Sequence, residues 1–336
     1  MKILFSSYLF DPNVGGIETV SKILAQKFAA AGNDVHVITQ SRGQQIAGAD
    51  YRLTRRPSLT EIFRLLGGCD IFFQNNISLR SLIPALILRK RTIIVHQTWL
   101  QNVHGETGWQ NHLKQALLRF VVNVAISQAV ADRLKADSVV IGNPYDETIF
   151  RVIPNTARDK TMIFVGRLVS DKGVDLLLYA LEILKRDGML NDLTIVGTGP
   201  EEVNLRNLAA KLGLEAQVTF VGQKSATGLA QLLNKHLVLV VPSRWAEPFG
   251  VVALEGIGCG CVVVGSQDGG LKEAIGRCGS TFENGNVTLL AAQLKRLIKE
   301  PETRTTFLRN AGEHLMRFES SKVAAEYLEL MKKMIA

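Results

Sequence analysis

The sequence predicts an α/β protein with two Rossmann-like domains, each built on a parallel sheet. The chain has 336 residues, whereas a single hydrophobic core rarely extends beyond about 250–300 residues. Short apolar runs rich in β-branched residues alternate with longer segments of helical period, which is typical of parallel α/β layers. The alternation begins afresh near residue 160, so we expect a second domain of the same kind there.

The first half contains short and nearly continuous apolar runs, as expected for strands that are buried on both faces. The predicted strands are Lys2 to Ser6, Val35 to Thr39, Asp70 to Gln74, Thr92 to Gln97, Asn123 to Ser127 and Val139 to Gly142. A helix is predicted from Ile17 to Ala31, because its apolar residues recur at helical spacing and Gly32 follows as a stop signal.

The second half repeats this pattern. Its predicted strands are Thr161 to Val165, Leu193 to Val196, Val218 to Val221, Leu237 to Val241 and Cys261 to Gly265. Its predicted helices are Val174 to Arg186, Glu201 to Leu212, Ala226 to Asn234 and Phe249 to Gly258, and a helical pattern after Asn286 ends in Ser321 to Ile335. Phe150 to Lys160 lacks periodicity, which indicates a linker. We expect an N-terminal domain over residues 1–150, a C-terminal domain over 151–318 and a final helix over 319–336.

Composition narrows the class of protein. With 46% hydrophobic and 21% charged residues, the chain is neither disordered nor collagen-like. The four cysteines form neither a zinc-ligand spacing nor a disulfide framework, which favours a reducing cytoplasm. No run approaches the roughly 20 apolar residues of a transmembrane helix. The apolar start is followed by no small-residue cleavage site, so a signal peptide is not predicted either.

The formal net charge of +8 is concentrated in residues 1–150, which hold 16 Lys and Arg against 11 Asp and Glu. A solvated basic face explains this simply, and we expect no nucleic acid partner. Peripheral binding to the anionic inner face of the membrane remains an alternative. The apolar run Leu82 to Leu88 is compatible with such docking, although a buried helix is the simpler interpretation.

The most informative segment runs from Val241 to Glu255. A buried strand ends at Pro242-Ser243, a loop carries Glu247, and Pro248 precedes a helix predicted from Phe249. The unpaired N–H groups of that helix would face the carboxyl ends of the strands, which suits a phosphate. Glu255 would lie about two turns into the helix, where it can accept from two ribose hydroxyls, while Glu247 can hold sugar hydroxyls. Spacing alone leaves open that both are ordinary surface glutamates.

Three further segments carry weaker signals. Arg167 and Lys172 lie between a strand and a helix, where two cations can neutralise a diphosphate. Gly197 to Pro200 and Gly15-Gly16 each allow a ligand to approach the backbone closely. An ordinary surface loop is the simpler explanation for Arg167 with Lys172 and for Gly15-Gly16, while a structural turn explains Gly197 to Pro200 about as well.

His96 ends a predicted strand, at the edge where open parallel sheets carry functional groups. A structural histidine is the simpler interpretation from position alone. None of the six histidines shows a metal-ligand spacing and no Asp-x-Asp sequence occurs, so no metal cofactor is expected.

In their order and spacing these segments resemble the retaining glycosyltransferases of the GT-B fold, specifically glycosyltransferase family 4 (glycosyl transferases group 1). The matching parts are Gly15-Gly16, Gly166-Arg167 with Lys172-Gly173, Gly197 to Pro200, Phe220 to Gly222, Pro242-Ser243 with Glu247 to Gly250 and Glu255, and Gly269-Gly270 with Glu273. Asn143-Pro144-Tyr145-Asp146 keeps the asparagine and aspartate of the family's Asn-Gly-Val-Asp but not its glycine. The resemblance implies two Rossmann-like domains that face each other across a cleft, with the acceptor on the N-terminal side and the donor on the C-terminal side. The final helix would pack back on the N-terminal domain.

The resemblance also implies roles for single residues. Glu255 would hold the donor ribose, Glu247 the transferred sugar, and Arg167 and Lys172 the diphosphate, while His96 would touch the sugar near the reacting carbon. The implied catalytic group is His96, Glu247, Arg167 and Lys172. The implied donor site also contains Gly15, Gly16, Gly197, Gly222, Gln223, Lys224, Phe249, Gly250, Val251 and Glu255.

The implied reaction moves a hexosyl group from a nucleotide-diphosphate sugar to a hydroxyl acceptor with retention and without a metal. UDP-glucose or a related UDP-hexose is the preferred donor, and a glycan or a lipid-linked intermediate of cell-surface polysaccharide or glycolipid synthesis is the preferred acceptor. A GT-B-like nucleotide-sugar epimerase and a non-catalytic sugar-nucleotide-binding protein are the alternatives. A nicotinamide-dependent dehydrogenase is disfavoured, because no Gly-x-Gly-x-x-Gly follows the first strand.

Overall fold

The computed structural model describes residues 1–12, 15–44, 48–100 and 108–336. It divides into two compact units. The first contains Met1–Tyr145 and Phe318–Ala336, and the second contains Asp146–Arg317.

The strands of the described residues are numbered in chain order. They are β1 (Lys2–Ser7), β2 (Asp34–Thr39), β3 (Arg52–Arg55), β4 (Ile71–Asn75), β5 (Arg91–His96), β6 (Val122–Ala125), β7 (Ser138–Val140), β8 (Lys160–Val165), β9 (Leu193–Val196), β10 (Val218–Gly222), β11 (His236–Val241), β12 (Val262–Ser266) and β13 (Gly279–Phe282).

The α-helices are numbered in the same way. They are α1 (Gly16–Ala30), α2 (Leu59–Gly67), α3 (Leu79–Ile87), α4 (Trp109–Leu117), α5 (Gln128–Ala131), α6 (Val174–Arg186), α7 (Glu202–Lys211), α8 (Ala226–Lys235), α9 (Val251–Gly258), α10 (Leu271–Ile275), α11 (Val287–Lys299), α12 (Pro301–Leu308), α13 (Ala311–Met316) and α14 (Ser320–Ile335). Short 3₁₀ turns cover Leu118–Phe120 and Ser170–Lys172.

The first unit is built on a parallel sheet with the strand order β3-β2-β1-β4-β5-β6-β7. Its central strand β1 is buried from Ile3 to Ser7, because a doubly wound sheet is covered on both faces. The C-terminal helix α14 belongs to this unit. The ring of Tyr327 lies 5.3 Å from that of Phe73 and 6.3 Å from that of Phe28, so α14 packs together with α1 over the sheet.

The second unit is built on a parallel sheet with the order β10-β9-β8-β11-β12-β13. Its core contains strand residues such as Phe164 and Val240 and helix residues such as Leu177, Leu181 and Leu294. Counted from β8, the strand order is that of doubly wound nucleotide-binding sheets, and the first sheet has the same order with one more strand at its edge. The prediction of two Rossmann-like parallel-sheet domains is confirmed.

Each sheet has a point where the strand order reverses, and in open parallel sheets this point opens a crevice at the carboxyl ends of the strands. In the second unit the reversal lies between β8 and β11, which are direct neighbours. The two loops at this point are residues 166–173 and 242–250. They are the segments that the sequence singles out.

Candidate functional site

The loop after β8 carries both predicted cations. Arg167 is exposed, and within the described chain no carboxylate pairs with its guanidinium. Lys172 ends the 3₁₀ turn and is followed by Gly173, which has a φ of 66°. A Cβ at position 173 would lie 2.0 Å from the carbonyl oxygen of Pro242. Glycine therefore allows the β8 loop to lie directly against the β11 loop.

Glu247 in the β11 loop is nearly buried, with 9% of its surface exposed. The Lys172 ammonium donates to Oε1 of Glu247 at 2.6 Å, and the Ser243 hydroxyl donates to the same oxygen, also at 2.6 Å. Among the described residues Oε2 accepts no hydrogen bond. The backbone of Glu247 is fixed as well, since Gly270 N–H donates to its carbonyl oxygen at 2.7 Å. The carboxylate is therefore held in one orientation with one oxygen free.

A second set of contacts ties the same two loops together. The Arg244 guanidinium pairs with both carboxylate oxygens of Asp175 at 2.5 and 2.6 Å, and this pairing raises the pKa of Arg244. The Arg244 N–H donates to the Asp171 carbonyl at 2.8 Å. In the same loop, the Ser243 carbonyl accepts hydrogen bonds from the Ser266 hydroxyl at 2.6 Å and from the Asn284 amide at 3.2 Å. These contacts make the loop a rigid support for Glu247.

Helix α9 begins at Val251 rather than at Phe249. Gly250 has a φ of 102° and turns the chain into the helix, while the Phe249 side chain is buried. Glu255 is therefore the fifth residue of α9, and the prediction that it lies two turns into the helix was wrong. Residues 247–250 form a loop because the left-handed conformation of Gly250 lies outside the helical region of backbone angles.

The Glu255 side chain is partly exposed and has neither a hydrogen bond nor an ion pair in the described chain. Burial raises the pKa of its carboxyl to about 7, and the Asp146 carboxylate acts in the same direction. Near neutral pH the carboxyl group therefore exists in both protonation states. It can accept hydrogen bonds from a ligand and, when protonated, donate one.

The neighbouring strand ends also meet at this edge. The Gly197 N–H donates to the Gly222 carbonyl at 3.0 Å. A Cβ at Gly197 would lie 1.8 Å from the Gly166 carbonyl oxygen, and its φ is 134°. Gln223 and Lys224 follow with exposed side chains. The predicted second-unit residues thus lie at the carboxyl ends of the strands of one sheet, on the loops that follow them, and in the first part of α9.

The remaining predicted residues belong to the first unit. Gly16 begins α1, and Gly15 precedes it in an extended conformation. His96 has no exposed surface, and its Nε2 lies 3.1 Å from Oδ1 of Asn123. Its Nδ1 has no hydrogen-bond partner in the part of the chain that the structure describes. Burial lowers the pKa of His96 to about 4, so the ring is neutral at physiological pH. Its contact with a donor sugar stays a prediction.

Sequence reasoning missed a buried network of amides and hydroxyls in the first unit. Asn143 and Gln97 exchange hydrogen bonds of 2.8 and 2.9 Å. Gln97 also donates to Asn75 at 2.9 Å, Asn75 donates to Ser21 at 2.6 Å, and Ser21 lies 2.8 Å from Ser7. The only sequence signal for this network was Asn143, which matches the asparagine of the family's Asn-Gly-Val-Asp. The sequence pattern includes Ser243 but does not reveal its contact with Glu247.

Neither a metal cluster nor a membrane-spanning helix occurs among the described residues. No group of three or more His, Cys, Asp or Glu side chains that could hold a metal ion is found in this part of the chain. None of the described helices is both long enough and apolar enough to cross a membrane.

The chain is similar to curated proteins over part of its length. It is 35% identical to a glycogen synthase of Mycobacterium tuberculosis over 231 residues, 66% of this chain and 55% of that protein. It is 31% identical to a D-inositol 3-phosphate glycosyltransferase of Corynebacterium efficiens over 179 residues, 51% of this chain and 42% of that protein. The chain thus spans about half the length of the curated relatives it matches.

The fold has solved counterparts over nearly the whole chain. The structure of HepE from Anabaena, in complex with UDP and glucose, matches with a TM-score of 0.83 at 21% identity, covering 99% of this chain and 100% of that one. The model of the family described as "Glycosyl transferases group 1" matches residues 146–314, which is half of the chain and contains the loops described above. The chain therefore belongs to the glycosyl transferases group 1 family.

Proposed function

We propose that this protein is a retaining hexosyltransferase of glycosyltransferase family 4. It would move a hexosyl group from a nucleotide-diphosphate sugar, UDP-glucose or a related UDP-hexose, to a hydroxyl acceptor. The observation that carries the proposal is the Glu247 carboxylate, which Lys172 and Ser243 hold by one oxygen at the strand-order reversal of the second unit. The free oxygen suits a sugar hydroxyl, because a fixed acceptor orients a hydroxyl without a further entropic cost.

The two cations of the β8 loop support diphosphate binding. Arg167 is exposed and can bind phosphate oxygens as a fork, while Lys172 acts as a compact charge shared with Glu247. The N–H groups of Gly250 and Val251 at the start of α9 add partial positive charge. These groups would stabilise the departing nucleotide, so we propose that transfer needs no metal ion.

Glu255 supports recognition of the nucleoside. A carboxyl group with raised pKa and no hydrogen-bond partner among the described residues is costly in the free protein. Two neighbouring ribose hydroxyls would supply the hydrogen bonds it lacks. The base would rest near Gly197, Gly222, Gln223 and Lys224. The HepE complexes with UDP and with UDP-glucose support the choice of uridine and glucose.

We propose front-face displacement for the chemical step. The acceptor oxygen forms a bond to the anomeric carbon on the face from which the phosphate departs, and the bond from that carbon to the phosphate oxygen breaks. The proton of the acceptor hydroxyl passes to a phosphate oxygen of the leaving nucleoside diphosphate. Attack on the same face retains the anomeric configuration. Glu247 binds the sugar and is not a nucleophile in this scheme.

The first unit would bind the acceptor, a glycan or a lipid-linked intermediate of cell-surface polysaccharide or glycolipid synthesis. An open groove of about 440 Å³ at the carboxyl ends of β1 and β2 supports this assignment. It is lined by Leu9, Pro12, Gln40, Ser41 and Arg42. Its lining combines apolar and polar side chains, which suits the apolar ring face and the hydroxyls of a sugar.

The experiment begins with thermal unfolding in the presence of UDP, GDP, ADP, their common sugars and NAD, each with and without EDTA. Stabilisation by one nucleotide class that survives EDTA supports the proposal, because a ligand at 100 times its Kd adds about 2.7 kcal/mol. Stabilisation by NAD alone would overturn it.

Product analysis then separates transfer from the alternatives. The stabilising nucleotide sugar is incubated with a panel of glycan and lipid-linked acceptors, and products are identified by mass spectrometry. Conversion into an isomeric nucleotide sugar would indicate an epimerase, and binding without any product would indicate a non-catalytic protein. Glu247→Gln should lower transfer by about 100-fold or more.

A further inference from the structure

Four arginines, which we call the arginine cluster, lie at one edge of the first sheet. Arg42 lies in the loop after β2, Arg55 ends β3, Arg56 follows it, and Arg80 is the second residue of α3, which comes after β4. The strands β3, β2, β1 and β4 are consecutive neighbours, and the carboxyl ends of parallel strands meet at the same edge of a sheet. The fold therefore gathers four cations from the ends of three strands.

Backbone carbonyls hold three of the four guanidinium groups in place. These hydrogen bonds run from Arg55 to the Gln44 carbonyl at 2.9 Å, from Arg56 to the Gln40 carbonyl at 3.3 Å and from Arg80 to the Pro57 carbonyl at 3.0 Å. A carbonyl oxygen fixes a guanidinium without neutralising its charge. Because a guanidinium has five N–H donors, donors remain for a ligand.

No carboxylate neutralises the cluster within the part of the chain that the structure describes. Asp11, in the loop after β1, pairs with Lys22 at 2.9 Å. Asp50 precedes β3 and so lies toward the amino end of that strand. The segments that join β3 to α2 and β4 to α3 contain no acidic residue. Concentrated positive charge without an internal counter-ion favours an anionic ligand.

The cluster borders the open groove in which we propose that the acceptor binds. Arg42 is part of the groove lining. A Cβ at Gly43 would lie 2.8 Å from Cδ of Pro12, another lining residue, and 3.4 Å from Cζ of Arg55. Glycine at this position therefore lets the loop after β2 pack against both residues, and the Arg55 guanidinium lies next to the groove.

A much smaller pocket of about 20 Å³ adjoins the groove, because Gln40 lines both. Arg80 lines this pocket together with Ser78 and Ser81. The Arg56 guanidinium lies beside it, since it donates to the Gln40 carbonyl. The pocket has room for one small polar group, and guanidinium groups lie next to it.

We propose that the arginine cluster binds an oxyanion of the acceptor, so that the acceptor is a sugar that carries a phosphate or a carboxylate. Guanidinium groups recognise both oxyanions through paired hydrogen bonds. The groove holds the sugar ring, while Arg42, Arg56 and Arg80 contact the charged group. This inference rests on the proposed function, whose acceptor class it names.

Two other arginines of the first unit provide a matched control. Arg89 and Arg91 are exposed and lie at the start of β5, at the opposite edge of the sheet. Neither lines the groove or the small pocket. Arg89 and Arg56 also have the same φ of 51°, so their substitution by glutamine changes the backbone strain in the same way.

The test is calorimetric titration of the full chain with glucose, glucose 6-phosphate and glucuronate, with and without saturating UDP. We expect at least one anionic sugar to bind about 10-fold or more tightly than glucose, less so at high salt, and UDP to leave this binding in place. Arg56→Gln with Arg80→Gln should weaken it by about 10-fold or more. Arg89→Gln with Arg91→Gln, which removes the same charge, should bind as the wild type does.

The arms of the test separate the possible sources of the oxyanion. Tighter binding of glucose 6-phosphate indicates a phosphorylated acceptor, and tighter binding of glucuronate indicates an acidic sugar. Arg42→Gln alone gives the same comparison if the double variant does not fold. A titration with UDP alone tests the donor site separately, so its failure would count against the proposed function and not against the arginine cluster.

Three results would overturn the inference. One is that neither anionic sugar binds more tightly than glucose. Another is an equal loss of binding in the control variant, which would assign the attraction to net charge. The third is displacement of the anionic sugar by UDP, which would place it in the donor site.

Discussion

Glu247 receives both of its side-chain hydrogen bonds on one carboxylate oxygen, from Lys172 and from Ser243. Ser243 is a positioning residue in this arrangement. Ser243→Ala should therefore lower kcat by about 10- to 100-fold, as loss of an orienting partner typically does, while nucleotide affinity stays within a few-fold. The measurement is a KM and kcat series together with calorimetric titration of the nucleotide.

The control for this prediction is Ser170→Ala, in the adjoining loop, because the exposed Ser170 contributes its carbonyl and not its side chain to the contact with Arg244. An unchanged kcat in Ser243→Ala would show that Lys172 alone orients the carboxylate.

Glu255 couples stability to pH. Its pKa is about 7 in the folded protein and 4.5 as a free side chain. Between these values the folded state keeps a proton that the unfolded state has lost, so the free energy of unfolding falls as pH rises from about 4.5 to 7. Glu255→Gln should therefore stabilise the protein by about 1–3 kcal/mol at pH 8. The same change should weaken nucleotide binding.

Urea unfolding at pH 4.5 and pH 8, with calorimetry at pH 8, measures both effects. A Glu255→Gln protein that is less stable at pH 8 and binds nucleotide normally would contradict both the burial of this carboxyl and its role.

His96 gives a dependence of the opposite sign. Because its pKa falls from 6.5 to about 4 on folding, the unfolded state binds the extra proton between these values. The free energy of unfolding should fall by about 3 kcal/mol as pH drops from 6.5 to 4. His96→Phe should reduce the pH dependence of the free energy of unfolding in this range by nearly one proton. Equal slopes in His96→Phe and wild type would show that His96 is protonated in the fold.

The sequence could predict which residues belong to the candidate site, but not which of them contact each other. The local signals at Glu247, Lys172 and Glu255 were visible because each follows a strand in a parallel sheet. The ion pair between Lys172 and Glu247 was not visible, since it joins residues 75 positions apart through the neighbouring strands β8 and β11. The contact between His96 and Asn123 was not visible either, since these residues are 27 positions apart.

At the scale of elements, the loops after β8 and β11 fit together because Gly173 has no side chain. In Gly173→Ala the added Cβ would clash with the Pro242 carbonyl oxygen. The left-handed backbone conformation would add strain of about 1–2 kcal/mol. Gly188 offers a matched control, with a φ of 77° and no atom within 4 Å of a Cβ. We expect Gly188→Ala to cost only the strain.

Thermal unfolding and nucleotide titration of the two variants measure the difference. Gly173→Ala should be clearly less stable than Gly188→Ala and should bind nucleotide more weakly. Equal behaviour of the two variants would show that the loops do not depend on this close approach.

The elements that the sequence predicted best are long and apolar. Strand β9 and helix α6 begin and end at the predicted residues. Strands β3 and β13 were missed because their four-residue sequences, RLTR and GSTF, are short and polar. Their pairing comes from neighbouring strands, β2 and β12, and not from their own apolar pattern.

At the scale of the whole molecule, the chain leaves the first unit at Tyr145 and returns to it at Phe318. Tyr327 of α14 is fully buried between Phe28 and Phe73. Tyr327→Ala should therefore destabilise the first unit by about 3–5 kcal/mol. Tyr327→Phe should be nearly neutral, because the buried hydroxyl has no hydrogen-bond partner among the residues described.

Hydrogen exchange with mass spectrometry shows which unit loses stability in Tyr327→Ala. Faster exchange in β1 and β4, with β8 and β11 unchanged, is the expected pattern. Faster exchange in the second unit instead would show that α14 stabilises a different part of the protein.

The most direct test of donor binding by the second unit is hydrogen exchange of the full chain with and without UDP-glucose. We predict slower exchange of the amides in residues 166–173 and 247–255 when the nucleotide sugar binds. This protection should be lost in Glu247→Gln with Glu255→Gln. Protection confined to the first unit, or its persistence in that double variant, would contradict donor binding at the strand-order reversal of the second unit.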